Sequence, residues 1–194
     1  MPGRSEAARR GPEPLSLAAI EALFARRGGE QYSGEPVTQL EHALQCAALA
    51  EADGADDALV TAALLHDLGH LVADHGATPT LRGIDDRHQT AALPLLSGLF
   101  DKRVLGAIGL HVDAKRYLCA TRPGYRAALS DDSKRSLVLQ GGVFDRAACA
   151  AFIARPGAAD AVRVRVWDDL AKAADALTPS LTHFLDRART IALR

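Results

Sequence analysis

The strongest constraint on this fold is a stretch of nine residues, AALLHDLGH, at 62–70. Its alanines and leucines leave no polar face, so a helix built from it has to be buried on all sides. Yet it carries His66, Asp67 and His70. Burying imidazoles and a carboxylate together is unfavourable unless something pairs them. A fold that accepts this segment therefore packs other helices around it and supplies a partner for its polar groups. For His and Asp on helices packed face to face, the commonest such partner is a metal ion.

Helical periodicity with start and stop signals runs along most of the chain. Ser16 is suited to cap a helix with Leu17, Ile20, Leu23 and Phe24 on one face, stopped by Gly28 and Gly29. A loop containing Tyr32, Gly34 and Glu35 leads to Pro36, a good first-turn residue, and to a helix over 37–53 that Gly54 ends. Asp56 caps the next helix, which runs to about Leu68 with Gly69 as its stop. ADHGATPTLRGID reads as a loop. Further helices are predicted at 87–96, from Lys102 to Ala114 or beyond with a break in YLCATRPGY, within AALSDDSKRSLVLQGG, and at 144–154, 159–171 and 179–192. AVRVRVW alternates as a strand would, but Asp160 before it and DDLAKAAD after it frame it as helix. The expected architecture is all-α: a flexible leader over 1–14 and one helical bundle over 15–194 with the metal site in its centre.

The 194 residues suffice for one domain with a sizeable core. A net charge of -1 without a basic stripe gives no electrostatic reason to expect nucleic acid or an anionic membrane as partner. No apolar run approaches the roughly 20 residues that span a bilayer. The leader MPGRSEAARRGPEP lacks the apolar core of a targeting peptide. Cys46, Cys119 and Cys149 are odd in number and form no CxxC pair, which fits reduced thiols in the cytoplasm.

Seven histidines punctuate the predicted helices. His42 lies on the 37–53 helix, His66 and His70 on the next, and His88 and His111 on the two that follow. His66 and His70, four apart, share a helix face. Asp67 is rotated by about 100° from His66, so the two can present a nitrogen and an oxygen to one region. A carboxylate has two oxygens and can bridge two cations, which makes Asp67 the natural bridge if there are two metals. The donors are all nitrogen and oxygen, a set that suits iron, manganese or zinc.

His42, the His66–Asp67 doublet and a late Asp, in this order on helices, resemble the HD-domain superfamily of all-helical metalloproteins. In that superfamily a first His, the HD pair and a late Asp bind one metal. Asp168 in VRVWDDL is the best match for the late Asp, with Asp169 as its rival. The segments YSGEPVTQLEHALQCA, LVTAALLHDLGHL, HVDAKRYL, LSDDSKRSLVLQGG and VRVWD resemble more narrowly the phosphonate-cleaving diiron oxygenases of the PhnZ type, relatives of myo-inositol oxygenase. The resemblance covers about 32–168.

By that resemblance His42, His66, Asp67 and Asp168 hold one iron, and Asp67 bridges to a second that His88 and His111 complete. The pair is mixed-valent, Fe(II)/Fe(III), with O2 as co-substrate. Asp67, His70 and Lys115 form the implied catalytic set. Lys115, one turn after His111, meets the substrate phosphonate. His70 either supports a ligand or, as the favoured reading, donates a hydrogen bond to the phosphonate. Ser133 and Gln140 match positions lining the phosphonate pocket, with Ser136 a weaker neighbour. Tyr32 and Glu35 match a lid pair, in which the Glu recognises a substrate amine and the Tyr occupies an iron position until substrate displaces it. Gln39, one turn before His42, orients a ligand or contacts substrate. His75 and His183 match no role.

The implied reaction is oxidative C–P cleavage of a small organophosphonate, of the 1-hydroxy-2-aminoethylphosphonate type, to phosphate and an amino acid such as glycine. The ligand set alone also suits a metal-dependent phosphohydrolase acting on a nucleotide or phosphomonoester, or an idle sensor module. Tyr32, Glu35 and HVDAKRYL favour the oxygenase.

Overall fold

A computed structural model describes residues 13–73, 76 and 78–193. Residues 1–12 of the expected leader and His75 lie outside the described residues. The chain runs through α1 (Leu17–Arg27), α2 (Gln39–Ala52), α3 (Asp57–Leu65), α4 (Leu68–Val72), α5 (His88–Ala91), α6 (Leu93–Leu96), α7 (Lys102–Thr121), α8 (Tyr125–Ala128), α9 (Asp131–Leu139), α10 (Arg146–Ile153), α11 (Ala158–Leu170) and α12 (Leu181–Ile191). A short 3-10 turn at Pro79–Arg82 interrupts the loop before α5. Among the described residues there is no strand, only isolated bridges at Gln31–Thr38 and Ser97–Phe100. The all-α expectation holds, and AVRVRVW is helical.

Side-chain caps set most of the helix starts. Ser16, Asp56, Asp101, Ser130, Asp145 and Ser180 each accept a backbone N–H of the first turn. Thr38 and Glu41 form a reciprocal capping box that starts α2. Pro36 therefore stays in the preceding loop and outside the first turn predicted for it. The 87–96 helix is two short ones, α5 and α6, and α7 continues to Thr121 through most of the segment predicted to break it.

α3 is the hub. Every residue from Leu59 to Leu65 is buried, and α2, α7, α11 and α12 all pack against it. Its apolar sequence on all faces is what that position requires. The main core joins Leu59, Leu64, Leu65 and Leu68 to Phe24, Cys46, Phe100, Ile108, Trp167 and Phe184.

The predicted continuous helix across the HD doublet is broken. α3 ends at Leu65, Asp67 lies outside helical geometry at φ -103° and ψ 12°, and α4 begins at Leu68. Gly69 is no stop. It sits inside α4, where a Cβ would meet the His88 carbonyl oxygen at 2.0 Å and its carbon at 2.6 Å. The bare glycine lets α4 press against the backbone that carries His88. Since both contacts are backbone atoms that cannot swing aside, Gly69→Ala is expected to lose about 1–3 kcal/mol of stability. Gly29, with nothing within 4 Å of a Cβ, is the control: Gly29→Ala should stay within about 0.5 kcal/mol. Urea unfolding of both variants checks the pair.

Candidate metal centre

Five separate elements aim side chains at one buried point. α2 supplies His42, and the end of α3 and the break after it supply His66 and Asp67. Arg87, left-handed at φ 48°, turns the chain so that His88 opens α5. α7 supplies His111 and, one turn on, Lys115, while α11 supplies Asp168. His42, His66, His111 and Asp168 are at most 1% exposed.

The hydrogen bonds on the far side of each ring decide what the near side offers. Nδ1 of His42, His66 and His111 faces the carbonyls of Ala171 (2.8 Å), Ala63 (2.8 Å) and Ile108 (2.7 Å). A carbonyl only accepts, so Nδ1 carries the proton and Nε2 of each neutral ring is left with a lone pair. His88 is held likewise through Nδ1 by an Asp86 oxygen at 2.8 Å. These Nε2 atoms face one another: those of His42 and His66 are 3.4 Å apart, those of His88 and His111 3.1 Å apart.

Asp67 lies between the two pairs. Its Oδ2 is 3.6 Å from His42 Nε2 and 3.4 Å from His66 Nε2; its Oδ1 is 3.3 Å from His88 Nε2 and 3.5 Å from His111 Nε2. Asp168 Oδ1 adds a contact of 3.5 Å to His42 Nε2. Asp67 Oδ1 and Asp168 Oδ1 are buried without a hydrogen-bond donor. Such atoms are rare in folded proteins and call for an explanation.

A divalent cation fits. Ligand atoms each about 2.1 Å from an ion lie roughly 3.0–3.5 Å from one another, close to the spacings of this cluster. His42, His66, Asp67 and Asp168 form one group that can hold an ion, and Asp67, His88 and His111 another. The electrostatics agree. Burial pushes the His42 and His111 imidazoles down to about 4, so both rings are neutral ligands. Burial acts the same way on His66, but Asp67 and Asp168 outweigh it and raise that ring to about 9. The cluster thus draws positive charge.

A cavity opens beside Asp67, His88, His111 and Asp168. Tyr32, His70, Lys115, Ser133, Ser136, Gln140 and Arg165 also line it. Tyr32 donates its hydroxyl to Asp67 Oδ2 at 2.8 Å and stacks on His42, ring centroids 3.8 Å apart. Lys115 is 2% exposed; burial, with help from the Arg165 guanidinium, pulls its ammonium down to about 7. It donates to Ser136 Oγ at 2.7 Å, which makes Ser136 a closer partner of Lys115 than the sequence suggests. Gln140 Oε1 is buried and unpartnered.

Other predicted residues are placed elsewhere. Glu35 is absent from the lining of this cavity and pairs with Lys172 Nζ at 3.0 Å. Gln39 lines an adjoining cavity together with Ser33, His70 and Asp86. Asp169 is engaged by Arg165 and the Tyr125 hydroxyl, outside the ligand cluster. His183, 44% exposed in its side chain, pairs with Glu51 on the surface.

Two contributors escape sequence reading. Arg165 is buried and donates to Asp168 Oδ2 at 2.6 Å, which leaves Oδ1 for the cluster. Its spacing of three and four residues before Asp168 and Asp169 is the signal that identifies it. Asp86 holds both His88 and His70, and only its position two residues before His88 hints at this.

The chain matches the HD domain family over residues 39–141 and belongs to that family. It is 41% identical over 165 residues to a 1-hydroxy-2-(trimethylamino)ethylphosphonate dioxygenase (glycine-betaine-forming) of Leisingera caerulea, covering 85% of this chain and 84% of that one. It is 43% identical over 157 residues to a hydroxymethylphosphonate dioxygenase of Gimesia maris, covering 80% and 78%.

Metal titration with element analysis checks the centre. The wild type should bind about two ions per chain, His88→Ala about one, and Asp67→Ala less than one, because Asp67 serves both groups. Binding should weaken as pH falls from about 9, where a proton begins to compete with the ion for His66, and most steeply toward about 4, where His42 and His111 also take protons.

Proposed function

We propose that this HD-domain protein is a diiron oxygenase that cleaves the C–P bond of a 1-hydroxyphosphonate with dioxygen. The carrying observation is a ligand set for two cations opening on a cavity whose wall holds Lys115, Ser133, Ser136 and Arg165. The named activities of both relatives favour oxidation over phosphoester hydrolysis. The balance is R–CH(OH)–PO3H2 + O2 giving R–COOH + H3PO4. The C1–H and C1–P bonds break, C1 becomes a carboxyl carbon, and dioxygen takes up the four electrons. Iron held by His42, His66, Asp67 and Asp168 and by Asp67, His88 and His111 would supply the site for dioxygen and the electron transfer.

The chain's own residues supply charge, orientation and exclusion of water. Lys115 and Arg165 meet the phosphonate oxygens, Ser133 and Gln140 add hydrogen bonds, and His70, as an imidazolium with a proton on each nitrogen, donates to the same group from the α4 side. Tyr32 covers the Asp67 oxygen until substrate enters. Burial of the cluster keeps bulk water from reactive species.

For 2-amino-1-hydroxyethylphosphonate the products are glycine and phosphate. Glu35, outside the cavity lining and held by Lys172, would accept the ammonium tail only on exchanging Lys172 for it. The relatives' named substrates differ in this tail, one trimethylated and one absent. No helix among the described residues is long and apolar enough to cross a membrane, and the free thiols of Cys46, Cys119 and Cys149 support a cytoplasmic setting.

Iron-loaded protein given this substrate in air should release phosphate and carboxylate in equal amounts, and neither under argon. Phosphate release that continues without oxygen, or turnover of phosphomonoesters with Mg or Mn, overturns the proposal. Lys115→Met should lower kcat/KM by about 10²-fold or more while the metal content stays, since a charged hydrogen bond to an oxyanion contributes a few kcal/mol.

A further inference from the structure

We infer that Asp86 is a positioning residue that sets the tautomers of two rings at once, the metal ligand His88 and the cavity residue His70. Its Oδ1 lies 2.8 Å from His88 Nδ1 and its Oδ2 lies 3.0 Å from His70 Nδ1. The carboxylate is 9% exposed in its side chain, so water contributes little to satisfying it. A carboxylate without a proton only accepts, so both rings carry hydrogen on Nδ1. His88 thereby turns an Nε2 lone pair toward His111 and Asp67. His70 turns its Nε2 toward Asp67 Oδ2, 3.8 Å away. The rings stack with centroids 4.1 Å apart and planes at 25°, so one anion fixes a parallel pair with its two oxygens.

The consequence is an asymmetry between the two ion positions. His42, His66 and His111 are oriented by backbone carbonyls, which no substitution removes. His88 alone of the four depends on a side chain. The His88–His111 position is therefore the mutable half of the centre, and Asp86 couples it to the ring that reaches toward substrate. An amide cannot replace the carboxylate. The oxygen of Asn accepts from one ring, while its NH2 faces the other Nδ1 and demands a lone pair there. That takes the Nδ1 proton from either His88 or His70, so removal of the whole side chain is the cleaner test of His88.

The inference rests on the metal-centre reading but not on the reaction, and its test needs no turnover. Chelator competition followed by element analysis on Asp86→Ala, which supports neither ring, should show one of the two bound ions losing about 10–100-fold in affinity, the usual effect of losing such a support. The other ion should be unchanged. His70→Ala should keep both ions, since the loss comes through His88. Nitrogen-15 NMR of zinc-loaded wild-type protein reads the tautomers directly and does not depend on whether a variant folds. It should find Nδ1 protonated in both His70 and His88. A lone pair on His88 Nδ1, or wild-type affinity for both ions in Asp86→Ala, overturns the inference. Failure of phosphonate turnover with these results intact would instead overturn the proposed reaction.

Discussion

Two pairs of imidazole Nε2 atoms confront each other across one buried carboxylate, and the surrounding structure depends on that crowding being neutralised. Alone, the arrangement is unfavourable: buried ring nitrogens face one another, and Asp67 and Asp168 each keep an oxygen without a donor. Cations turn every one of these contacts favourable. The backbone carbonyls behind His42, His66 and His111 commit the rings to this role, because they hold the Nδ1 protons away from the centre. The folding energy of the apolar α3 hub carries this load, and metal bound only by the folded state adds to it.

Much of this is legible in the chain alone. The apolar letters of 62–70 demand a buried helix, and α3 is buried throughout. The order His42, His66, Asp67, His88, His111, Asp168 marks the residues that the fold brings together. What the sequence conceals is local backbone and long-range pairing. The break after Leu65 is invisible because His and Asp have ordinary helix propensities, yet it turns Asp67 so that each oxygen faces a different imidazole pair. Gly69 looks like a stop because glycine is the usual helix terminator; the close backbone of His88, nineteen positions on, gives it a different task.

Partner choice is equally hidden. Glu35 carries the same charge whether it meets a substrate amine or Lys172, and only the fold shows Lys172 beside it. Arg165 reads as one of several arginines on an alternating helix, yet it is buried and assigns the two oxygens of Asp168 to different tasks. Charge also explains the cavity. Two ligand groups that can hold cations at its base, with Lys115 and Arg165 on its wall, suit a small ligand rich in anionic oxygen. A phosphonate bearing a neighbouring hydroxyl offers that chemistry.

The central claim is a coupled two-iron centre that binds the substrate class directly. Electron paramagnetic resonance of the iron-loaded, partly reduced protein tests it most directly. The expected result is the signal of a mixed-valent Fe(II)/Fe(III) pair and a shift in that signal on adding a 1-hydroxyphosphonate under argon. A signal from isolated mononuclear ferric iron alone, or a paired signal that the hydroxyphosphonate leaves unchanged at saturating concentration, would contradict it.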